Sequence, residues 1–150
     1  MNYRVMVGAF VLIMSGMVFS VFSQADSSIA KDMVGKAAEL VKKSGLDAGI
    51  KEINYPDGQF VKGEIYVFMY DTNAVMLAHP KNPKLIGKNL MEVPDVDGKL
   101  FRKEIIQVAL TKKNGWVDYR YKNPLSNAIE NKTTWVQRQG AAVICCGIYK

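Results

Sequence analysis

Histidine occurs once in this chain of 150 residues, as His79, and cysteine only as the adjacent pair Cys145 and Cys146. One imidazole and two neighbouring thiols do not make a zinc site, so no metal is expected. Nor do they make a disulfide framework. Adjacent side chains on an extended strand point to opposite faces, which is poor geometry for a mutual bridge. The two cysteines read as small packing residues, with a strained vicinal or an intermolecular bond as the alternative in an oxidising compartment. Paired carboxylates and a glycine-rich phosphate loop are also missing, so the sequence recommends no enzyme, no catalytic residue and no cofactor. A second long apolar run is absent too, which excludes a receptor with two membrane spans for this chain.

The one long apolar run that is present comes first. Arg4 precedes an uncharged stretch from Val5 to Phe22, and Ser23-Gln24-Ala25 has the small-x-small form of a signal-peptidase site. Residues 1–25 are therefore expected to be a signal peptide and 26–150 a single domain, periplasmic or secreted. An uncleaved N-terminal anchor is the alternative, since the run is near the ~18 residues at which a helix begins to span a bilayer. Arg4 is the only base in that leader and no acid accompanies it, so its removal takes the net charge from +6 to +5. The remaining lysines alternate with acids, as in Lys31, Asp32, Lys36 and Glu39, which describes a solvated face and no nucleic-acid stripe.

From Ser27 or Ser28, both credible N-caps, Ile29, Met33, Ala37, Leu40 and Val41 recur at helical spacing until Ser44-Gly45 supplies a stop. Leu46, Ile50 and Ile53 suggest a short further helical turn. Asn54 to Gly58 is a turn, and Glu64 to Tyr70 then reads as a central strand, apolar on both faces. Ile65, Val67 and Met69 would meet the helix, while Tyr66, Phe68 and Tyr70 would face a second layer. Val75 to His79 returns beside it. Pro80 keeps His79 extended and has no amide to donate, so the chain leaves the sheet there. Residues 80–97 form a long loop with Leu85, Ile86 and Leu90 as apolar pegs, and a loop of that length is often functional. A helix from Leu100 to Thr111 faces Phe101, Ile105, Val108 and Ile106 inward and ends at Asn114-Gly115. Strands at 116–121, 133–138 and 141–149 complete an α+β fold, a PAS-like antiparallel sheet with the N-terminal helix packed on one face.

The stretch from Gly115 to Gln137 carries the candidate site. Tyr119 and Tyr121 share a strand face, and Trp135 lies on the next strand, beyond a turn that carries Lys132. Aromatic walls with a few cations suit a small anionic ligand. Phe68 on the central strand and His79 at the loop edge are candidate opposite walls, and Arg138 is a further candidate cation. An ordinary hairpin with a half-buried aromatic face is the alternative.

Several blocks carry a family resemblance: Tyr66 to Asp71 (YVFMYD), Leu77 to Pro80 (LAHP), Leu85 to Asn89 (LIGKN), Asp97-Gly98-Lys99, Gly115 to Tyr119 (GWVDY), Asn123-Pro124, Lys132, and Gly147-Ile148-Tyr149. In this order they resemble the single Cache domain, type 2, a family of extracytoplasmic sensor domains of bacterial chemoreceptors and histidine kinases. The resemblance implies a long helix on a PAS-like sheet and one pocket for a small ligand, often a short carboxylate. Tyr119 and Tyr121 match the family's Tyr-x-Trp block, Lys132 its lysine, Trp135 its following tyrosine and His79 its His-Pro. Tyr121 replaces the usual Trp and Trp135 the usual Tyr, which moves a hydroxyl and alters pocket volume. In the family's receptors the terminal Gly-x-Tyr leads into a membrane helix. This sequence stops at Lys150, so it reads as a stand-alone exported sensory module. The other reading is an accessory protein with a vestigial pocket that forms a homodimer or docks on a membrane receptor.

Overall fold

A computed structural model of the protein describes residues 21–150. Most of the expected signal peptide, residues 1–25, lies outside the described residues. Among those described, no helix is long and apolar enough to cross a membrane.

Helix α1 (Val21–Ser44) buries Ala30, Met33, Val34, Ala37 and Ala38, the i, i+3, i+4, i+7, i+8 stripe of an amphipathic helix. Ser27 and Ser28 lie inside it and are not its caps, because residues 21–28 contain no proline or glycine to interrupt the helix. Gly45, at φ +89°, turns the chain into α2 (Leu46–Ile53). Strands β1 (Val61–Lys62), β2 (Ile65–Asp71) and β3 (Met76–Ala78) follow, then α3 (Phe101–Lys112), β4 (Asn114–Lys122), β5 (Ile129–Gln139) and β6 (Ala142–Tyr149). All pair antiparallel in the order β1-β2-β6-β5-β4, and β3 joins β2 beyond β1.

The expected two-faced strand is β2. Ile65, Val67 and Met69 pack with α1 in one core, and Tyr66, Phe68 and Tyr70 pack with α3 in the other. This is the α+β, PAS-like arrangement read from the pattern. Two further local expectations are corrected. Ile86 is 39% exposed and is no peg; it follows a 3₁₀ turn at Pro83–Leu85, which leans Leu85 on the core and turns its neighbour outward. The segment after Pro80 is the expected loop, with Leu85 and Leu90 against the core, and it folds back against β3, the amides of Gly87 and Met76 bonding the carbonyls of Met76 and Lys88. Helix α3 ends on Lys113 at φ +67°, and Asn114 and Gly115 already pair with Gln137 and Val136. Pairing with β5 draws the strand start back to the helix.

Candidate ligand-binding site

The same lengthening of the ladder decides where Lys132 sits. It lies within β5, not in a turn, opposite Tyr119 on one side and Tyr149 on the other. Its face is that of Tyr66 and Phe68, and it is 1% exposed. Gly147, paired with Tyr66 and with Thr134, lies under its stem: a Cβ there would collide with Cε of Lys132 and come within 2.7 Å of the Thr134 hydroxyl. The missing side chain lets the lysine cross β6. Its Nζ donates to the hydroxyls of Tyr66 (2.9 Å) and Tyr149 (3.2 Å). It also stands over the rings of Tyr66 (4.3 Å), Tyr149 (4.6 Å), Tyr121 (5.4 Å) and Phe68 (5.6 Å). Burial pulls this ammonium down to about 7, against a partial opposing effect of the cysteine pair and Glu64.

A second buried cation approaches from α3. Arg102 shares the helix stripe of Ile105, Ile106 and Ala109 and is 4% exposed. Its Nε donates to the Tyr70 hydroxyl and one Nη to the carbonyl of Val93, both at 3.1 Å, with the guanidinium 4.2 Å from the Phe101 ring. Neither Arg102 nor Lys132 forms an ion pair among the described residues, whose ion pairs are all between exposed groups. A buried cation without a carboxylate is costly, and it is favourable where an incoming anion completes it.

His79 feels the charge of both. Its amide donates to Asn54 Oδ1 (2.9 Å), which fixes the residue as the chain leaves β3. Its Nδ1 accepts the Asn82 amide (2.9 Å), so the neutral ring carries its proton on Nε2. Burial first, then the charges of Lys132 and Arg102, hold the ring neutral, its protonation depressed to about 3. It stacks on Phe68 at 5.7 Å and leans on Tyr66 at 5.2 Å. Tyr66, His79, Asn82 and Tyr121 wall a cavity of about 300 Å³, with Lys81, Lys122, Pro124 and Asn127 around it and no acid among its lining residues. Ten waters would occupy roughly that volume. Neutral donors, an ammonium behind the aromatic wall and no competing carboxylate together suit a small anion.

Of the residues expected at the site, His79 and Tyr121 line this cavity, with Phe68 stacked on His79 and Lys132 behind the Tyr66 and Tyr121 rings; Lys132 itself lines a separate cavity of about 330 Å³ that also holds Asp95, Asp97 and Asp118. Tyr119 is one step removed: it stacks on Phe101 at 3.9 Å, bonds the Thr134 hydroxyl at 2.9 Å and meets Tyr121 edge-on at 6.0 Å. Trp135 and Arg138 are not brought to the cavity. Trp135 is three positions from Lys132, an odd number, so the strand turns it to the α1 face. There it packs against Trp116 at 5.3 Å with Lys31 Nζ 4.6 Å from its ring. Arg138 shares the face of Lys132 but lies six positions on, roughly 20 Å along the strand, exposed and bonded to the Gly140 carbonyl. Tyr66, Asn82, Arg102 and Tyr149 were missed. Arg102 had a signal in its helical spacing to the apolar Ile105, Ile106 and Ala109, Tyr66 in its alternation with Phe68, and Tyr149 in the Gly147-Ile148-Tyr149 block; Asn82 had none beyond residue type.

A family model described as single Cache domain 2 matches residues 35–149. Among solved structures, a Cache chemosensory domain described as a structural basis for carboxylic acid recognition superposes with a TM-score of 0.70 at 26% identity, over 85% of this chain and 95% of that one. A methyl-accepting chemotaxis protein from Vibrio parahaemolyticus RIMD 2210633 shares the fold with a TM-score of 0.71 at 20% identity, over 85% and 90%. The methyl-accepting chemotaxis protein McpP of Pseudomonas putida is 30% identical over 86 residues, which are 56% of this chain and 16% of that receptor. The family match covers α2, the sheet, α3 and the C-terminal part of α1 from residue 35 on, and the chain belongs to the single Cache domain 2 family.

Proposed function

We propose that this domain is a sensory module outside the cytoplasm that binds a short organic carboxylate at Lys132 without turning it over. The observation that carries this reading is the buried Lys132 ammonium, caged by aromatic rings beside a small cavity and paired with no carboxylate. A carboxylate would take a charge-assisted bond from Nζ, with Tyr66, Asn82 and His79 Nε2 as neutral partners. Such a bond contributes roughly 1.5 to 3 kcal/mol. With burial against the rings, micromolar to millimolar affinity, about −8 to −4 kcal/mol, is within reach. The 26%-identical neighbour described by carboxylic acid recognition supports this ligand class. Against turnover, the thiol of Cys145 bonds the Val143 carbonyl of its own strand, and burial raises both thiols, Cys146 to about 12, far from reactive thiolates. A leader that exports residues 26–150 belongs to the same proposal.

A thermal-shift screen of small acids, amines and amino acids tests it. A true ligand at ~100 times its dissociation constant stabilises by about 2.7 kcal/mol. Short carboxylates are expected to raise the melting temperature, and isothermal titration to give one site per chain. A screen flat for every acid would instead favour an accessory protein with a vestigial pocket.

A further inference from the structure

We propose that Tyr121 is the partition that sets ligand length in this site, and that without it the site accepts longer dicarboxylates. The inference rests on the carboxylate reading above. Tyr121, with its chain neighbour Lys122, belongs to the walls of two cavities at once: the one of about 300 Å³ that holds His79 and Asn82, and a second of about 370 Å³ where Val93, Val96, Phe101 and Ile129 meet Arg102 and Arg120. Its hydroxyl faces Asn82 on the first side and Arg102 on the second. The stacked pair Phe101 and Tyr119 abuts it edge-on from one side, Phe101 at 6.1 Å and 70° and Tyr119 at 6.0 Å and 78°. The ring is therefore held as a wall between two spaces.

Each space has its own buried cation nearby. Lys132 Nζ lies 5.4 Å from the Tyr121 ring, and Arg102 lines the second cavity. Asp95 also lines that cavity, but its oxygens are engaged by the amides of Asp97, Lys99 and Arg120, which leaves little free acceptor to compete for the guanidinium. The remaining walls there are apolar on one side, with Arg120, which is ion-paired with Asp97, and Lys122 at the other. With the ring in place, an acid anchored at Lys132 ends at Tyr121, so methylenes beyond a short chain have no room. Once the ring is gone, the chain passes through and a second carboxylate meets Arg102.

The test is calorimetric titration of the wild type, Tyr121→Ala and Tyr121→Ala/Arg102→Gln with acetate, propionate, pentanoate and glutarate. Wild type is expected to favour the two shortest acids by roughly tenfold or more, because packing differences of a few methylenes reach that size. Tyr121→Ala should gain about tenfold for both five-carbon acids, and more for glutarate than for pentanoate. The double variant should keep the pentanoate gain and lose the additional preference for glutarate. Tyr121→Leu, which keeps an apolar side chain, carries the same expectation at smaller amplitude if the alanine variant unfolds. A Tyr121→Ala or Tyr121→Leu protein with the wild-type length profile overturns the proposal, as does wild type that binds glutarate as well as acetate. If wild type binds acetate and only the variant profile stays unchanged, the carboxylate reading stands and the partition falls. Wild type that binds none of the four acids refutes both.

Discussion

Raising the pH from about 6 to about 9 is expected to weaken carboxylate binding, with affinity flat below neutrality and falling about tenfold per pH unit above it. The cause is the Lys132 ammonium, which burial brings from its ordinary 10.5 to about 7 in the unliganded domain. That displacement favours the neutral amine by on the order of 4 to 5 kcal/mol. Only the charged form offers a carboxylate its counter-charge, so above neutrality binding must first return the proton. At pH ~8 each bound acid should then take up nearly one proton, and at pH ~6 almost none. The groups around the ammonium do not share the titration: burial holds the Tyr66 and Tyr149 hydroxyls well above neutrality and His79 is already neutral. Calorimetry in two buffers of different ionisation enthalpy, repeated across that range, reads affinity and proton uptake together. Affinity independent of pH with no proton uptake would refute a titrating Lys132 at the site. The unliganded domain should move the other way. A lysine depressed in the folded state binds fewer protons there than in the unfolded chain, so stability rises with pH between about 7 and 10.5.

Lys132→Met keeps most of the stem and removes the charge; it should abolish acid binding and, measured by thermal melting near neutral pH, leave the domain at least as stable as wild type, since replacing a buried ion by an apolar group of similar volume is often neutral or stabilising by about 1 to 4 kcal/mol. Gly147→Ala places a methyl group in the path of the Lys132 stem; an overpacking penalty of about 1 to 3 kcal/mol in denaturant titration and at least tenfold weaker acid binding are expected. Trp135→Ala empties the α1 face, so it should destabilise by roughly 3 kcal/mol while leaving the Kd for acetate within about twofold, a pattern that separates the two faces of β5.

The alternation of β2 was legible in the sequence, because period two assigns Ile65, Val67 and Met69 to one core and Tyr66, Phe68 and Tyr70 to the other whatever the strand pairs with. The stripe of α1, the stop at Gly45 and the departure at His79-Pro80 were legible for the same reason: each follows from local spacing or from a backbone constraint of one residue. The face of Trp135 relative to Lys132 was legible too, since an odd separation on one strand settles it, but only once both were known to lie on a strand. The apparent turn around Lys132 hid this. That turn became strand because β4 and β5 pair over their full length, a decision of the ladder and not of local propensity.

What the sequence by itself determined is the element order, the two-faced sheet and the family, all of which rest on periodicity and contiguous blocks. Only the tertiary structure decided that Lys132 crosses over Gly147 to Tyr66, that Arg102 reaches Tyr70 from α3, and that Tyr121 stands between two cavities. Tyr66 and Lys132 are 66 residues apart and Tyr70 and Arg102 are 32 apart. Their meeting depends on the order of strands in the sheet and on which side α3 packs. No local pattern encodes those choices; they follow from burying two apolar faces at once.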